Sequence, residues 1–227
     1  MKVGILLIAT NKYMEFIQPL VESIREFFLT AHDKTIFIFT NHDMPPEDGI
    51  EWIKIEHKPW PYMTLYRFRT FLSHADKLQD MDYLYYLDAD MLVVESVGDE
   101  IFGKTVGTLH PGFYDKDNSQ FTYDRNPKSK AYIPLGKGNR YYAGGFFGGE
   151  KEAFLNMSKV IDKWITSDED EDYIAIWHDE SHMNKFFFVH PPAVELSSSY
   201  CCIDYNETVY PRKILALTKN HQGFREE

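Results

Sequence analysis

The stretch YLYYLDADML, residues 83–92, joins an apolar, aromatic run to two aspartates one residue apart. The run predicts a buried β-strand, and a carboxylate near a sheet core is costly unless a partner compensates it. Side chains two apart on a strand face the same way, so Asp88 and Asp90 can hold a hard divalent cation together with water and phosphate oxygens. The alternative is that the two acids cap the strand before a turn.

The segments around this run predict a sheet flanked by helices. Strands are predicted over 3–9, 35–40, 50–56 and 83–94, and helices over about 16–29 and 64–79. This β-α-β-β-α-β order is typical of an α/β fold with a largely parallel sheet. Ligands collect at the carboxyl ends of strands in such sheets, so Asp88 and Asp90 lie where a ligand site is expected.

The second half of the chain has a different texture. Residues 107–149 are rich in Gly, Tyr and Phe with little periodicity, which predicts loops that build a site. The glycine pairs of YYAGGFFGG (141–149) permit close backbone approach to a ligand or tight turns, but the motif is neither a phosphate loop nor a dinucleotide fingerprint. A helix is predicted over 151–165. The acidic run SDEDEDY (167–173) is interpreted as a solvated loop; a calcium site is the alternative, although EF-hand spacing and glycine are absent.

The segment IWHDESHMNKFFF, residues 176–188, places His178 and His182 four positions apart. A zinc hydrolase of the zincin type needs Glu directly after the first histidine, where Asp179 stands instead. We predict a helix with Asp179 as a candidate N-cap. Glu180 then lies in the first turn, where the positive helix end favours an ionised carboxylate suited to a nucleophile or an electrostatic stabiliser. The predicted inward-facing residues are Met183, Phe186 and Phe187.

Two aromatic segments, HPGFY (110–114) and FTYDR (121–125), combine rings with His and Thr. Such surfaces are typical of sugar binding, where ring faces stack and polar groups select hydroxyls. Structural packing of Phe113 and Tyr123 explains the same residues equally well.

The composition limits the function classes. A chain of 227 residues that is 44% hydrophobic can bury one large core, which excludes wholesale disorder. Its 35 acidic and 24 basic residues give a formal charge of −11, which argues against a nucleic-acid partner or an anionic membrane surface. No stretch approaches the apolar length of a membrane helix. The two cysteines, Cys201 and Cys202, are adjacent, so no disulfide framework is expected, which suits a reducing compartment.

Together, the segments TLHPGFY, FTYDRNPKSKAYIP, YYAGGFFGG, WHDESHMNK and KNHQ resemble the retaining glycosyltransferases of family six in order and spacing. That family includes the blood-group A and B transferases, α-1,3-galactosyltransferase and smaller bacterial relatives. The resemblance covers about Lys2 to Arg225. It implies a nucleotide-sugar-binding, Rossmann-like core of the GT-A type. It also implies one catalytic domain over 1–227, with a nucleotide-binding half at about 1–105 and an acceptor-binding half and C-terminal tail at about 106–227.

The resemblance also implies an activity. A hexose would pass from a UDP-sugar to a glycan hydroxyl in α-1,3 linkage, with anomeric configuration retained. Asp88 and Asp90 match the family's D-x-D motif, which implies Mn²⁺, with Mg²⁺ as a substitute, bridged to the UDP diphosphate as a Lewis acid. Glu180 matches a glutamate that acts as nucleophile or as stabiliser of an oxocarbenium-like ion pair. Because the transmembrane anchor and stem of the animal enzymes are missing, the chain resembles the short microbial form, and we expect a soluble cytoplasmic enzyme of microbial or viral origin.

Further site residues follow from the resemblance. The donor-side matches are Tyr13 for uracil packing, Arg67 beside the first aspartate, the donor-setting tripeptide Ala143, Gly144 and Gly145, His178 and Asp179 near the sugar, and the tail residues Lys219 and Arg225. The acceptor-side matches are His110, Thr122, Trp177 and, where LSSSYCCIDY departs from the family pattern, Asp204. The small Gly145 leaves room for an N-acetyl group, so UDP-GalNAc is the first donor expected, then UDP-galactose, with UDP-glucose still open. The alternative functions are a UDP-sugar hydrolase and a carbohydrate-binding protein without catalysis.

Overall fold

The aromatic run at residues 83–88 forms an inner strand of a seven-stranded sheet. The computed structural model describes residues 1–204, 211–220 and 223–224. Its strands are β1 (Lys2–Ile8), β2 (Asp33–Thr40), β3 (Ile50–Lys54), β4 (Tyr83–Asp88), β5 (Met91–Val93), β6 (Thr105–Leu109), β7 (Tyr142–Glu150), β8 (Val194–Leu196), β9 (Cys202–Ile203) and β10 (Ile214–Ala216).

The large sheet has the strand order β3-β2-β1-β4-β7-β6-β8. Strands β3, β2, β1 and β4 are parallel neighbours, and β6 and β8 are also parallel. Strand β7 runs antiparallel to both β4 and β6. The predicted α/β class and largely parallel sheet are therefore confirmed. A second sheet of three strands has the order β5-β10-β9.

Helices cover both faces of the large sheet. They are α1 (Ile17–Phe27), α2 (Tyr62–Leu65), α3 (Arg67–Ser73), α4 (Lys151–Glu169) and α5 (His178–Val189). Alternate residues of β1 serve the two faces: Ile5 and Leu7 join the core cluster with α1, and Leu6 joins the cluster with α3, α4 and α5. Each buried side chain of this kind contributes about 2 kcal/mol, which explains the nearly continuous apolar character of the strand.

The predicted single strand over 83–94 is wrong. Strand β4 ends at Asp88, Ala89 and Asp90 form a turn, and Met91–Val93 pairs with β10 in the smaller sheet. Aspartate disfavours the interior of a strand and favours turns, which ends the first strand although apolar residues continue beyond it.

The predicted loop character of residues 107–149 holds only for its middle part. Residues 142–149 belong to β7, and the residues before Glu150 are all buried. A Cβ on Gly148 would lie 2.3 Å from Tyr85 Cδ1 and 2.4 Å from the Leu84 carbonyl oxygen. The glycines therefore allow close approach of β7 to the aromatic strand β4, rather than tight turns.

Three further predictions need correction. The helix predicted over 64–79 is divided into α2, α3 and a 3-10 turn at Ala75–Leu78; the break falls at Tyr66, whose hydroxyl donates to Glu169. The acidic run is not wholly a solvated loop, because α4 extends to Glu169 and Asp168 is buried. Trp177, not Asp179, takes the N-cap position of α5. Among the described residues, no helix combines the length and apolar character needed to cross a membrane.

Candidate active site

A cleft opens at the carboxyl ends of β1 and β4. This edge of a parallel sheet is where a ligand site is expected. It brings together five residues predicted to bind the donor: Tyr13, Arg67, Asp88, Asp90 and Lys219. The segment over 57–64 and the C-terminal segment complete its walls. The cleft is thus built by elements distant in sequence that meet at one sheet edge.

Asp88, the first of the paired acids, is held by its own strand and by a buried cation. Its Oδ1 accepts a hydrogen bond of 2.6 Å from the Tyr86 hydroxyl and lies 3.4 Å from Arg67 Nη1. Arg67 is buried, with its guanidinium 4.5 Å from the centre of the Tyr86 ring, and it donates to the Gly144 carbonyl at 2.6 Å. Although burial opposes the charge, Asp179, Tyr86 and Asp88 raise the pKa of Arg67 above its ordinary value, so this cation is permanent.

Asp90, the second acid, lies in the turn after β4 and forms an ion pair with Lys219. Burial and the charge of Asp88 raise the pKa of Asp90, while Lys219 opposes the rise. The Lys219 ammonium also lies 4.5 Å from the centre of the Tyr13 ring. The C-terminal segment therefore reaches the paired acids and the aromatic ring predicted to pack on uracil.

The two aspartates fit a hard divalent cation. Both present carboxylate oxygens to one cleft, and their mutual repulsion would be relieved by a cation between them. Within residues 1–204, 211–220 and 223–224, no group of three His, Cys, Asp or Glu side chains could hold a metal. A cation here would consequently take its remaining ligands from water and phosphate oxygens, as Mg²⁺ and Mn²⁺ do.

Glu180 lies in the first turn of α5, as predicted, with both carboxylate oxygens hydrogen-bonded. Oε2 accepts from the Gly144 amide at 2.7 Å, and Oε1 accepts from the Tyr141 hydroxyl at 3.0 Å. Burial raises the pKa of Glu180 to about 7, against the opposing effect of these two donors. A Cβ on Gly144 would stand 3.3 Å from Oε2, so glycine leaves the room this contact uses.

Asp179 and His178 join α5 to the rest of the cleft. Asp179 is buried, and its Oδ2 lies 2.6 Å from Arg67 Nε. Burial raises the pKa of Asp179 to about 7, although Arg67 acts in the opposite direction. His178 adopts φ 51°, and its ring lies edge-on to Trp60 at 5.0 Å between centres. Arg67 thus connects Asp88, Gly144 and Asp179, which belong to three different elements.

The tripeptide predicted to set the donor lies in β7, beyond the residues that pair with β4. Pairing with β4 reaches Phe146 opposite Leu87, so Ala143, Gly144 and Gly145 extend toward Asp88. A Cβ on Gly145 would lie 3.3 Å from Cys201 Sγ, 3.4 Å from Asp88 Oδ2 and 3.4 Å from Met91 Cε. Cys201 and Met91 are therefore the side chains opposite Gly145.

The acceptor-side predictions are linked to Glu180 through Tyr141. Thr122 Oγ1 donates to the Tyr141 hydroxyl at 3.2 Å, and that hydroxyl donates to Glu180. The His110 ring lies 5.7 Å from that of Tyr141. Burial and, secondarily, Lys116 lower the pKa of His110 to about 4, so the ring is neutral at pH 7. Its Nδ1 accepts from the Gly112 amide at 3.0 Å, which leaves the proton on Nε2.

Three predicted residues stand apart from this chain of contacts. Trp177 is 48% exposed at the start of α5 and offers a free ring face. Asp204 accepts from the Thr218 amide at 3.0 Å, so its carboxylate holds the segment that carries Lys219. Arg225 lies outside the described residues.

Comparison with known proteins identifies the relatives of this chain. A family model described as "Glycosyltransferase family 6" matches residues 1–226. The chain belongs to glycosyltransferase family 6. The family predicted from the motifs is confirmed, and the fold is consistent with the GT-A type.

The family-6 enzyme is similar to transferases from animals and a bacterium. "Histo-blood group ABO system transferase 1" of Rattus norvegicus is 32% identical over 98% of this chain and 68% of its own length. "Globoside alpha-1,3-N-acetylgalactosaminyltransferase 1" of Gallus gallus is 28% identical over 98% of this chain and 69% of its own. "O-antigen biosynthesis glycosyltransferase WbnI" of Escherichia coli is 28% identical over 88% of this chain and 87% of its own length. The chain is therefore a hexosyltransferase, whose partners are a nucleotide-sugar donor and a glycan acceptor.

The zinc alternative at His178 and His182 does not fit the family-6 enzyme. His182 Nδ1 lies 2.9 Å from the His178 carbonyl oxygen, and Nε2 lies 3.0 Å from Asp168 Oδ2. Both ring nitrogens lie within hydrogen-bond distance of protein oxygens, so the His182 ring is oriented toward Asp168 and the His178 carbonyl rather than toward a shared metal site.

Several residues of the family-6 site were not predicted from the sequence. They are Tyr86, Tyr141, Cys201, Trp60 and Phe224, which packs edge-on to Tyr13 at 5.1 Å between ring centres. Tyr86 and Tyr141 stand inside quoted motifs but were interpreted only as part of apolar or glycine-rich runs. For Trp60 and Phe224 no local pattern separates a site aromatic from a core aromatic.

Proposed function

We propose that the enzyme transfers a hexose from a UDP-sugar to a glycan hydroxyl in α-1,3 linkage, with retention and with Mn²⁺ as cofactor. The observation that carries this proposal is the Arg67 network. One buried guanidinium contacts Asp88 of the paired acids, the Gly144 carbonyl of the tripeptide and Asp179 beside Glu180. We therefore assign the diphosphate end of the donor to Asp88 and the sugar end to the neighbourhood of Gly144 and Asp179, which Arg67 holds together.

The diphosphate end is assigned to the paired acids. When bound, Mn²⁺ or Mg²⁺ supplies Lewis-acid stabilisation to the departing diphosphate. Asp88 and Asp90 would be its protein ligands, and Lys219 adds a positive charge beside them. Tyr13 and Phe224 form an aromatic wall on which a uracil ring can stack.

The sugar end is assigned to Glu180. In a double displacement, a Glu180 oxygen attacks the anomeric carbon while the bond to the diphosphate oxygen breaks. The acceptor oxygen then attacks from the same face that UDP left, gives its proton to the released diphosphate and displaces the carboxylate, so the configuration is retained. In the ion-pair variant, Glu180 stabilises the oxocarbenium-like sugar without bonding to it. Both variants need the carboxylate ionised and held, which the donors from Gly144 and Tyr141 provide.

The acceptor is assigned to the side of Tyr141 that carries Thr122 and His110. His110 presents Nε2–H as a hydrogen-bond donor for a hydroxyl, and Trp177 presents a ring face for a sugar to stack on. Asp204, next to Thr218, is retained as an acceptor-side candidate at the mouth of the cleft. In this assignment residues from about 106 onward serve the acceptor and the first 105 or so form the nucleotide half.

UDP-GalNAc is the first donor proposed, followed by UDP-galactose and UDP-glucose. Glycine at 145 leaves the space between β7 and Cys201 free of a side chain. One of the relatives is named as an N-acetylgalactosaminyltransferase, which supports the same order.

The test is UDP release from a panel of UDP-sugars, with and without Mn²⁺, first in water and then with lactose or fucosylated galactosides. We expect metal-dependent release that accelerates with an acceptor and is fastest with UDP-GalNAc. Release that no acceptor accelerates would favour hydrolysis. No release from any donor would favour a binding role, and undiminished release in EDTA would contradict the metal assignment.

A further inference from the structure

A buried ion pair lies behind the first turn of α5, outside the cleft. His182 and Asp168 have side chains only 1% and 2% exposed, and His182 Nε2 lies 3.0 Å from Asp168 Oδ2. Asp168 also accepts from the Ser129 hydroxyl at 2.6 Å and from the Lys130 amide at 2.7 Å. Burial opposes the charge of Asp168, but hydrogen bonding with His182, Ser129 and Lys130 outweighs it and lowers the pKa of this carboxyl, so Asp168 is ionised at pH 7.

The opposite edge of the His182 ring faces the His178 carbonyl, at 2.9 Å from Nδ1. A carbonyl oxygen can only accept, and the Asp168 carboxylate can only accept. The two edges of the His182 ring therefore face two acceptors, one on α4 and one at the start of α5.

The carbonyl that His182 holds belongs to a residue in an unfavourable conformation. His178 has φ 51°, in the left-handed region that non-glycine residues rarely adopt. It immediately precedes Asp179 and Glu180, whose carboxylates contact Arg67 and Gly144. His182 thus holds the residue at which the chain turns toward these two acids.

The same ion pair reaches the acceptor side. Ser129 and Lys130 belong to the loop that follows Thr122, so Asp168 ties this loop to α4 and α5. Asp124, in the same loop, is also buried and accepts from the Ile176 amide at 3.1 Å and the Tyr173 hydroxyl at 2.8 Å. Two buried acids therefore fix the acceptor-side loop against the start of α5.

We propose that Asp168 and His182 are positioning residues that hold the first turn of α5, and with it Glu180, in register with the acceptor-side loop. The kinetic part of this proposal rests on the proposed function, whereas the structural part does not. Neither residue lines the donor cleft. Their removal is therefore expected to act on turnover rather than on nucleotide binding.

The test compares Asp168→Asn with Asp170→Asn, a matched change at an exposed position two residues further along the acidic run. Hydrogen exchange by mass spectrometry reports on residues 176–184, with peptides of β1 as internal reference. UDP affinity and turnover per folded molecule are measured on the same samples. For Asp168→Asn we expect exchange in 176–184 to rise about tenfold or more and turnover to fall roughly 10–100-fold, with UDP affinity within about threefold. Asp170→Asn should change none of these.

Unchanged exchange in 176–184, or turnover that falls only in proportion to folded protein, would overturn the proposal. Where Asp168→Asn does not accumulate as folded protein, His182→Gln alters the other partner and is judged by the same two readouts. Ser129→Ala removes the hydrogen bond that the hydroxyl donates to Asp168 and the one that it accepts from the Ala131 amide, but it leaves His182 opposite Asp168, so turnover should fall less than in Asp168→Asn. If the wild-type enzyme transfers no hexose while exchange still rises in Asp168→Asn, the proposed function fails and the positioning role stands.

Discussion

The cleft contains two pairs of acids that differ in how they are held. Asp88 and Asp90 follow a strand into a turn, and Asp90 is paired with a lysine from the C-terminal segment. Asp179 and Glu180 sit in one helical turn, and their partners are a buried guanidinium, a backbone amide and a tyrosine hydroxyl. One member of the first pair is thus held from the C-terminal segment, whereas both members of the second pair are held by α3 and by β7 with the residue before it.

This difference matches the proposed roles, which are metal binding for Asp88 and Asp90 and catalysis for Glu180. Carboxylates that must accept a cation need oxygens that can exchange their partners. A carboxylate that must meet one carbon atom needs a fixed position, which α5, Tyr141 and Gly144 give to Glu180, and a tuned pKa, which burial raises. In the proposed function the same residue type takes two roles because the surroundings differ, and the following predictions test that division.

The largest effect is expected for Glu180→Gln. Turnover should fall by roughly 10³-fold because the amide can neither bond to nor stabilise the anomeric centre, while UDP affinity stays within about threefold. Steady-state kinetics and calorimetric UDP binding measure the two quantities. Glu171→Gln, at an exposed turn position, is the matched control. Near-normal turnover in Glu180→Gln would remove this residue from the mechanism.

The next effect is expected for Asp88→Asn. Loss of one carboxylate should weaken Mn²⁺ binding and lower metal-dependent turnover by about 10²-fold. Manganese titration by electron paramagnetic resonance in the presence of UDP reports the binding directly. Asp80→Asn provides an exposed control. Unaltered manganese affinity would contradict the assignment of the first acid pair as ligands.

The pH dependence of turnover should reflect the raised pKa values of Glu180 and Asp179. Burial raises the pKa values of Glu180 and Asp179 to about 7, and both must be ionised, one to meet the sugar and one to pair with Arg67. Since protonation increases as pH falls, turnover should drop at least about tenfold between pH 8 and pH 6. The measurement is kcat at saturating donor, with the folded state monitored by circular dichroism. A flat profile over this interval would argue against a functional carboxylate at either position.

The smallest effect is expected for Gly145→Ala. The added methyl would stand 3.3 Å from Cys201 Sγ and 3.4 Å from Asp88 Oδ2, so it narrows the space proposed for the N-acetyl group. The ratio of kcat/KM for UDP-GalNAc over UDP-galactose should fall about tenfold. Competition of the two donors in one reaction gives the ratio without dependence on enzyme concentration. An unchanged ratio would refute the pocket assignment.

The sequence predicted the structure best in segments where the apolar periodicity of a strand or helix accompanies a chemical motif. The alternation of apolar strands with helices predicted β1, α1, β2, β3 and β4, because a sheet covered on both faces leaves a continuous apolar signature. Glu180 in the first turn of α5 was also predicted from local pattern and is observed. The donor and acceptor roles came from the joint motifs, which carry spacing information that no single motif holds.

The rest depended on contacts between distant residues. Asp168 sits in an acidic run, and nothing local shows that His182, Ser129 and Lys130 bury it. Glycines usually weaken a strand, so β7 was interpreted as loop until the close approach of Gly148 to Tyr85 became visible. The turn at Ala89 was hidden because apolar residues continue after it. The first two errors reflect tertiary packing that overrides local preference, whereas the third reflects a local turn preference of aspartate that the apolar run concealed.

Strand β7 has a consequence for how this enzyme can evolve. Its last glycines lie against β4, where Gly148 has no room for even a methyl group, so that end of the strand tolerates no change. Its first residues, Ala143 to Gly145, extend past the pairing with β4 into the site. Under the proposed donor assignment, variation in donor preference would be confined to a few positions at one end of a strand whose other end has no room for a side chain. The donor preference could then change while the packing of β7 against β4 stays the same.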